Sequence, residues 1–381
     1  MKPLLLLDDA LYGYNLGDTH PMGADRVRLA VELADYFGIL SHFDLEVPPA
    51  PTRALLEMVH SPAYIDALLA GEPSLEHGIG VEDNPVVTPV MESIGAHIVS
   101  ATVAAAEEVW SGRRKRAVNI SGGLHHAFPD RMSGFCMYND AAIAIRSLLN
   151  KGAQRVAYID VDAHHGDGVE QEFWDDPRVL TISIHESGLY LFPGTGFAHD
   201  IGGPSALGTA VNIALDRDTS DEEWLRCVHS LIPQILKVCR PEIIISQHGA
   251  DPHRDDPLAD LRLSVDALYR AYSSIGRWAD RYASGRWVAL GGGGYHRDSV
   301  ARIWVALMAA VAGIPFEPTA PMPHNWSRRV GAPCSVTWGD PGAAFLVNAL
   351  SLDQIMHSGA SAAMKATSKA VFPYWGLQPY G

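Results

Sequence analysis

Four short clusters in this sequence hold the residues best able to bind a metal ion or move a proton. They are Ser121-Gly122-Gly123-Leu124-His125-His126, Asp162-Ala163-His164-His165-Gly166-Asp167-Gly168, Gln247-His248-Gly249-Ala250-Asp251 and Gly291-Gly292-Gly293-Gly294-Tyr295-His296. Asp162 and His164 have the i, i+2 spacing that points two side chains to the same side of an extended segment. A carboxylate and an imidazole so placed suit Zn²⁺ or Fe²⁺. Asp251, preceded by the small Gly249 and Ala250, is the natural third ligand. Two Asp and one His leave room for a water and a substrate oxygen, as a catalytic site requires. Alone, Asp162 and His164 read equally well as turn and capping residues. The other clusters favour the metal.

A tandem His pair is by itself more often a surface or core feature than a catalytic one. His125 and His126 gain weight from Asp160 and Asp167, which flank the metal segment and suit the carboxylates that fix a His tautomer. Tyr295 follows four glycines. Such a run costs backbone entropy and serves close approach or special dihedrals. It would deliver a phenol hydroxyl to a developing oxyanion; the alternative is a glycine turn with a packed Tyr. A phosphate loop is disfavoured, because no Lys-Ser/Thr follows and the G-x-G-x-x-G spacing is absent.

The elements that must position these clusters are also legible. Apolar runs at Leu4–Leu7, Ala117–Ile120, Val156–Val161, Val179–Ile184, Ile243–Ser246 and Trp287–Leu290 are continuous, the pattern of strands buried on both faces. Helical patterns lie between them: a stripe of Val27, Val31 and Ala34, then Glu92–Trp110, Asp221–Lys237 opening on three acidic residues, Ser264–Tyr282 and Ser299–Ala312. The alternation predicts an α/β fold with a mostly parallel sheet covered by helices. The ligand site should lie beyond the carboxyl ends of the strands, where the clusters fall. No linker, repeat or charge block divides the chain. A single three-layer domain is predicted, with residues 1–315 as the catalytic part and 316–381, richer in Pro and loops, as a C-terminal extension packed on it.

With 29 Lys+Arg against 44 Asp+Glu the net charge is −15, which disfavours nucleic acid and anionic membranes as partners. Cys136, Cys227, Cys239 and Cys334 form no C-x-x-C pair, in keeping with a reducing cytoplasm. The leucines from Leu4 end at Asp8-Asp9, short of a signal peptide's roughly 7–15 apolar residues. No apolar run is long enough to cross a bilayer. A cytoplasmic protein is expected.

The clusters resemble, in order and spacing over roughly residues 5–315, the zinc-dependent histone deacetylase family. The resemblance rests on Gly122 to His126, Ser133-Gly134-Phe135-Cys136-Met137-Tyr138-Asn139-Asp140, Tyr158 to Glu170, Phe192-Pro193-Gly194-Thr195-Gly196, Gly249-Ala250-Asp251 and Gly291 to Tyr295. Within the family the chain looks most like the bacterial acetoin-utilisation deacetylases. The resemblance implies an arginase/deacetylase fold and hydrolysis of N-acetyl-lysine on an acetylated protein substrate. It implies Zn²⁺ (or Fe²⁺) on Asp162, His164 and Asp251, with His126 as general base, His125 as its electrostatic support, Asp160 and Asp167 behind them, and Tyr295 polarising the carbonyl. Gly134, Phe135 and Phe192 would wall an acyl-lysine tunnel with Leu258 at its rim. Asp83 would hold substrate backbone amides, and Arg26 would serve an internal acetate-side channel. A structural K⁺ is implied near Asp160, Asp162, His164, Ser183 and Ile184, and a second near Phe173, Asp176 and Val179. Gly23 and Pro257 stand where inositol-phosphate-regulated members carry basic residues, so no such regulation is expected.

Three rivals are weighed. An arginase-like binuclear enzyme carries Asp where this chain has Gly166, which offers no ligand. An acetylpolyamine deacetylase carries a rim carboxylate where this chain has Leu258, although Asp255 and Asp256 lie close by in sequence. A non-catalytic acetyl-lysine reader would not need the complete ligand set, His pair and Tyr.

Overall fold

The computed structural model describes residues 1–381 apart from 18–19, 24, 82–83 and 344–358. The apolar runs form strands: β1 Leu4–Leu6, β3 Arg116–Asn119, β4 Val156–Asp160, β5 Val179–Glu186, β7 Ile243–Gln247 and β8 Trp287–Leu290. Two further strands, β2 (Asp44–Glu46) and β6 (Ala210–Leu215), escape the apolar-run criterion. β2 is three residues with one apolar side chain, and Asn212 interrupts β6. Together they make one 8-stranded sheet in the order β2-β1-β3-β8-β7-β4-β5-β6, parallel at every pairing.

The helices are α1 Asp25–Tyr36, α2 Arg53–Leu56, α3 Pro62–Ala70, α4 Pro89–Trp110, α5 Asp140–Asn150, α6 Asp167–Glu172, α7 Asp221–Cys239, α8 Val265–Tyr282, α9 Arg297–Ala312, α10 Trp326–Val330 and a C-terminal helix Ala362–Val371. Local chemistry sets their starts. The side chains of Thr88, Asn139 and Ser264 accept from the backbone N–H groups of Met91, Ala142 and Ala267, capping α4, α5 and α8. α5 was not legible as an amphipathic helix because nearly all of it is buried.

Alternation along the strands divides the core in two. Leu5, Val118, Ile159 and Ile244 pack with the apolar faces of α1, α7, α8 and α9. Leu4, Leu6, Ala117, Tyr158 and Ile245 pack with α4 and α5 on the opposite face. The result is three layers, helix–sheet–helix, as the sequence pattern required. The C-terminal helix lies against β6 and α7, where Thr367 Oγ1 donates to the Asn212 carbonyl (2.6 Å). Trp375 Nε1 donates to the Gly208 carbonyl (2.8 Å) and Gln234 Nε2 to Tyr380 Oη (2.6 Å). That segment covers an edge of the sheet. Among the described residues, no helix is long and apolar enough to cross a membrane.

Candidate active site

β3, β8, β7 and β4, which precede the four clusters, are consecutive neighbours in the sheet despite their separation in sequence. Their ends share a level: Asn119 pairs with Leu290, Leu290 with Gln247, and Gln247 with Asp160. The loops therefore leave one end of the sheet side by side.

Asp162, His164 and Asp251 meet there, buried, with one ligand atom from each within 4.8 Å of the others. His164 Nδ1 lies 3.1 Å from both Asp162 Oδ1 and Asp251 Oδ2. The expected extended segment is absent. β4 ends at Asp160, and the chain bends so that His164 N–H donates to Asp162 Oδ1 (2.9 Å). A side-chain turn, not strand alternation, brings the two together. The remaining oxygens are held from behind. Asp162 Oδ2 accepts from Gln247 Nε2 (2.7 Å) and Gly293 N (2.9 Å), and Asp251 Oδ1 accepts from Ala163 N (2.8 Å).

The donor set fits a divalent cation. Burial and the Asp162 charge push Asp251 up to about 7. Burial opposes charge on His164, but Asp251 and Asp162 overcome it and hold the ring well above its ordinary value. Two carboxylates packed this closely demand positive charge, which a metal ion would supply in place of protons. The glycines explain the approach: a Cβ on Gly249 would sit 1.9 Å from Asp162 Oδ2, and one on Gly293 2.1 Å from Asp251 Oδ2.

Beside this triad, each ring of the His pair has its own carboxylate. His125 Nδ1 lies 2.7 Å from Asp160 Oδ2 and His126 Nδ1 2.6 Å from Asp167 Oδ1. This fixes Nε2 of each as the inward atom, and the two Nε2 atoms are 3.0 Å apart. Burial disfavours a charged His125, yet Asp160 and Asp162 outweigh it and raise it to about 9. Burial and the charge of His125 lower His126 to about 4. The carboxylates thus favour the extra proton on His125, and His126, with Nδ1 turned to Asp167, presents Nε2 as the proton acceptor. Gly166 is required beside them, because a Cβ there would meet Asp160 Oδ2 at 2.5 Å. The position that holds Asp in arginases has no room for one here.

A cavity of about 210 Å³ opens onto these groups, lined by His126, His164 and Tyr295 at its buried end and by Gly134, Phe135, Leu191, Phe192 and Leu258 along its walls. His126 meets Phe192 edge-on (5.1 Å), and Phe135 meets Tyr295 likewise (5.7 Å). Phe135 has φ +68°, a left-handed conformation unusual for a non-glycine residue. Asn84 Oδ1 accepts from its N–H (3.1 Å), and Tyr14 Oη donates to its carbonyl (2.8 Å). Burial holds the Tyr295 hydroxyl well above its ordinary pKa, so it stays a donor. The proximity of Asp255 and Asp256 to the rim is resolved: Asp256 is buried and bonded to backbone amides, while Asp255 is exposed and lies outside the cavity lining.

Arg26 is buried behind Tyr295, its guanidinium 5.5 Å from that ring and 5.0 Å from Trp304, with Nε lacking a hydrogen-bond partner. It borders a small inner void with Met22, Tyr14 and Gly292. Of the residues expected around the first K⁺, Asp160 at the end of β4 pairs in register with Ser183 inside β5, which Ile184 follows. The Asp176 carboxylate near the second expected K⁺ site is engaged by Arg178 (2.9 and 2.6 Å). Asp83 lies outside the described residues. Sequence reading passed over Gln247 and Asn84 as supports, and over Asp140, whose carboxylate accepts from Gly123 N (3.0 Å) and Leu124 N (2.8 Å) and holds the His-pair loop. The signals available were the cluster position of Gln247 and the place of Asp140 at the end of the motif that opens at Ser133.

The model of the histone deacetylase domain matches residues 20–311. The acetoin utilization protein AcuC of Bacillus subtilis (strain 168) is 38% identical over 340 residues, covering 86% of this chain and 87% of the relative. AcuC of Staphylococcus xylosus is 34% identical over 324 residues, 83% of this chain and 84% of that one. Among solved structures, an HDAC homolog from Aquifex aeolicus superposes with TM-score 0.76 at 32% identity, covering 86% of this chain and 88% of its own. An HDAC homolog complexed with SAHA superposes with TM-score 0.79 at 29% identity, covering 97% and 99%.

Proposed function

Since this chain belongs to the histone deacetylase family and is a deacetylase, we propose that it hydrolyses the acetyl amide of N-acetyl-lysine side chains on protein substrates. The observation that carries this reading is the apolar cavity walled by Phe135 and Phe192 that ends on His126, His164 and Tyr295. Acetylation removes the lysine charge, and an aromatic sleeve suits the apolar four-carbon stem that remains.

Asp162, His164 and Asp251 would hold a Zn²⁺ or Fe²⁺ ion, whose donor chemistry they match. When bound, such an ion polarises the amide carbonyl and makes water a better nucleophile at neutral pH. His126, oriented by Asp167, accepts the proton of the attacking water and returns it to the leaving amine. His125, whose cation Asp160 favours, disfavours charge on that proton acceptor and would steady the negative charge that develops. Tyr295 donates a hydrogen bond to the carbonyl oxygen as it becomes an oxyanion. Arg26, a buried cation beyond Tyr295, suits an acetate leaving through the inner void. A K⁺ ion near Asp160, Asp162, His164, Ser183 and Ile184 would brace the ligand segment. The names of the relatives favour a role in acetoin utilisation.

Hydrolysis of acetylated polyamines is the second reading. The apolar Leu258 in the cavity wall, with Asp256 withdrawn into the interior, counts against it. An acetyl-lysine peptide and an acetylated polyamine competing in one reaction separate the two. The peptide is expected to be favoured by at least about tenfold in kcat/KM, the scale of one unfavourable charged contact. A preference for the polyamine would overturn the protein-substrate reading.

A further inference from the structure

Tyr295 ends a glycine run that is pinned at its start, where Gly291 N donates to the Asn119 carbonyl (3.1 Å) and the Gly291 carbonyl accepts from His248 N (2.8 Å). Gly291 to Gly294 carry no side chains, and Gly292 (φ +148°) and Gly294 (φ +112°) adopt conformations open mainly to glycine. The Gly293 carbonyl accepts from Ala250 N (2.9 Å) and Gly293 N–H is held by Asp162. At Tyr295 itself the tie is a carboxylate: Asp256 Oδ2 accepts from Tyr295 N (2.7 Å). The other oxygen of the same group, Oδ1, accepts from Leu258 N (3.0 Å). Asp256 is 7% exposed, and its own N–H donates to the His253 carbonyl (2.9 Å). It neither lines the cavity nor belongs to the ligand cluster.

We propose that Asp256 is the positioning residue for Tyr295. One carboxylate fixes the backbone of the oxyanion donor and, through its second oxygen, the Leu258 wall of the substrate cavity. This rests on the reading of Tyr295 as the carbonyl donor. Without the Asp256 tie the last residue of the run loses its own anchor, and a displacement of about 1 Å at a reacting group costs on the order of 10²-fold in rate. Both oxygens are in use as acceptors. Asparagine would therefore keep the shape but set an amide N–H₂ against a backbone N–H, losing one of the two bonds.

The test is a double-mutant cycle on the metal-loaded full chain with an acetyl-lysine peptide. Asp256→Asn is expected to lower kcat by about 10- to 100-fold, with KM moving less and metal content unchanged. In a Tyr295→Phe background the same substitution should change kcat by no more than about threefold, because the group it positions is already gone. Asp256→Glu, which retains two acceptor oxygens, should recover part of the loss and serves as the second variant if Asp256→Asn does not fold. An equal loss in both backgrounds, a lost metal ion, or full activity of Asp256→Asn would overturn the proposal. Full activity of Tyr295→Phe alone would instead overturn the role of Tyr295. No turnover by the unaltered chain would overturn the substrate reading beneath both.

Discussion

Tyr295→Phe removes one hydroxyl that faces the cavity and leaves the ligand triad untouched. It is expected to lower kcat by about 10²–10³, the effect of losing one oxyanion donor, with metal content and substrate affinity nearly unchanged. Steady-state kinetics beside metal analysis check this. Asp251→Ala is expected to abolish both turnover and metal binding, because Asp162 and His164 alone offer two ligands and a buried charge is left unbalanced. Stoichiometric metal in that variant would remove Asp251 from the ligand set. At this scale the sequence was highly legible. His125, His126, Asp162, His164, Asp251 and Tyr295 announce themselves by type and by neighbours. Asn84 and Asp140 did not, because an amide or carboxylate that binds backbone N–H groups looks like any loop or helix-end polar residue until the fold reveals its partner.

The elements succeed by bringing four strand ends to one level, and the glycines between strand and ligand let carboxylates pack against backbone. Gly249→Ala puts a Cβ against the Asp162 carboxylate, with no space to accept it. It is expected to weaken metal affinity by at least about tenfold, since ligands must be held within a few tenths of an ångström. Competition with a chromogenic chelator measures this, and unchanged affinity would mean the loop yields more readily than its packing implies. Helices such as α4 and α8 and the six apolar strands could be read from pattern. β2 and β6 could not, since a short edge strand takes its identity from its neighbour rather than its own residues. The bend at Asp162-Ala163-His164 was misread as extended for a related reason: i, i+2 spacing serves a strand and a side-chain turn alike.

At the scale of the whole molecule, two buried histidines work against stability in acid. Burial lowers both His60 and His229 to about 4, against about 6.5 in an unfolded chain. At these two residues the unfolded state therefore binds more protons between those values, and their contribution to stability falls as pH drops from about 6.5 toward 4. Each residue contributes about 1.4 kcal/mol per pH unit within that window. His229 bonds the Leu225 carbonyl and Ser274 Oγ (both 2.8 Å). Denaturant unfolding of the parent and of His229→Gln across this range should differ in slope by about one proton; an unaltered slope would mean His229 charges without cost. The net charge of −15 suits targets whose acetyl-lysine lies among basic residues, and strong salt inhibition of such substrates is the expected sign. The most direct test of the proposed activity is the stoichiometry of hydrolysis on an acetyl-lysine peptide, before and after metal removal. Equimolar acetate and free lysine amine are expected, lost on chelation and restored by Zn²⁺ or Fe²⁺. Undiminished turnover without metal, or an intact peptide in the presence of fully loaded protein, would contradict it.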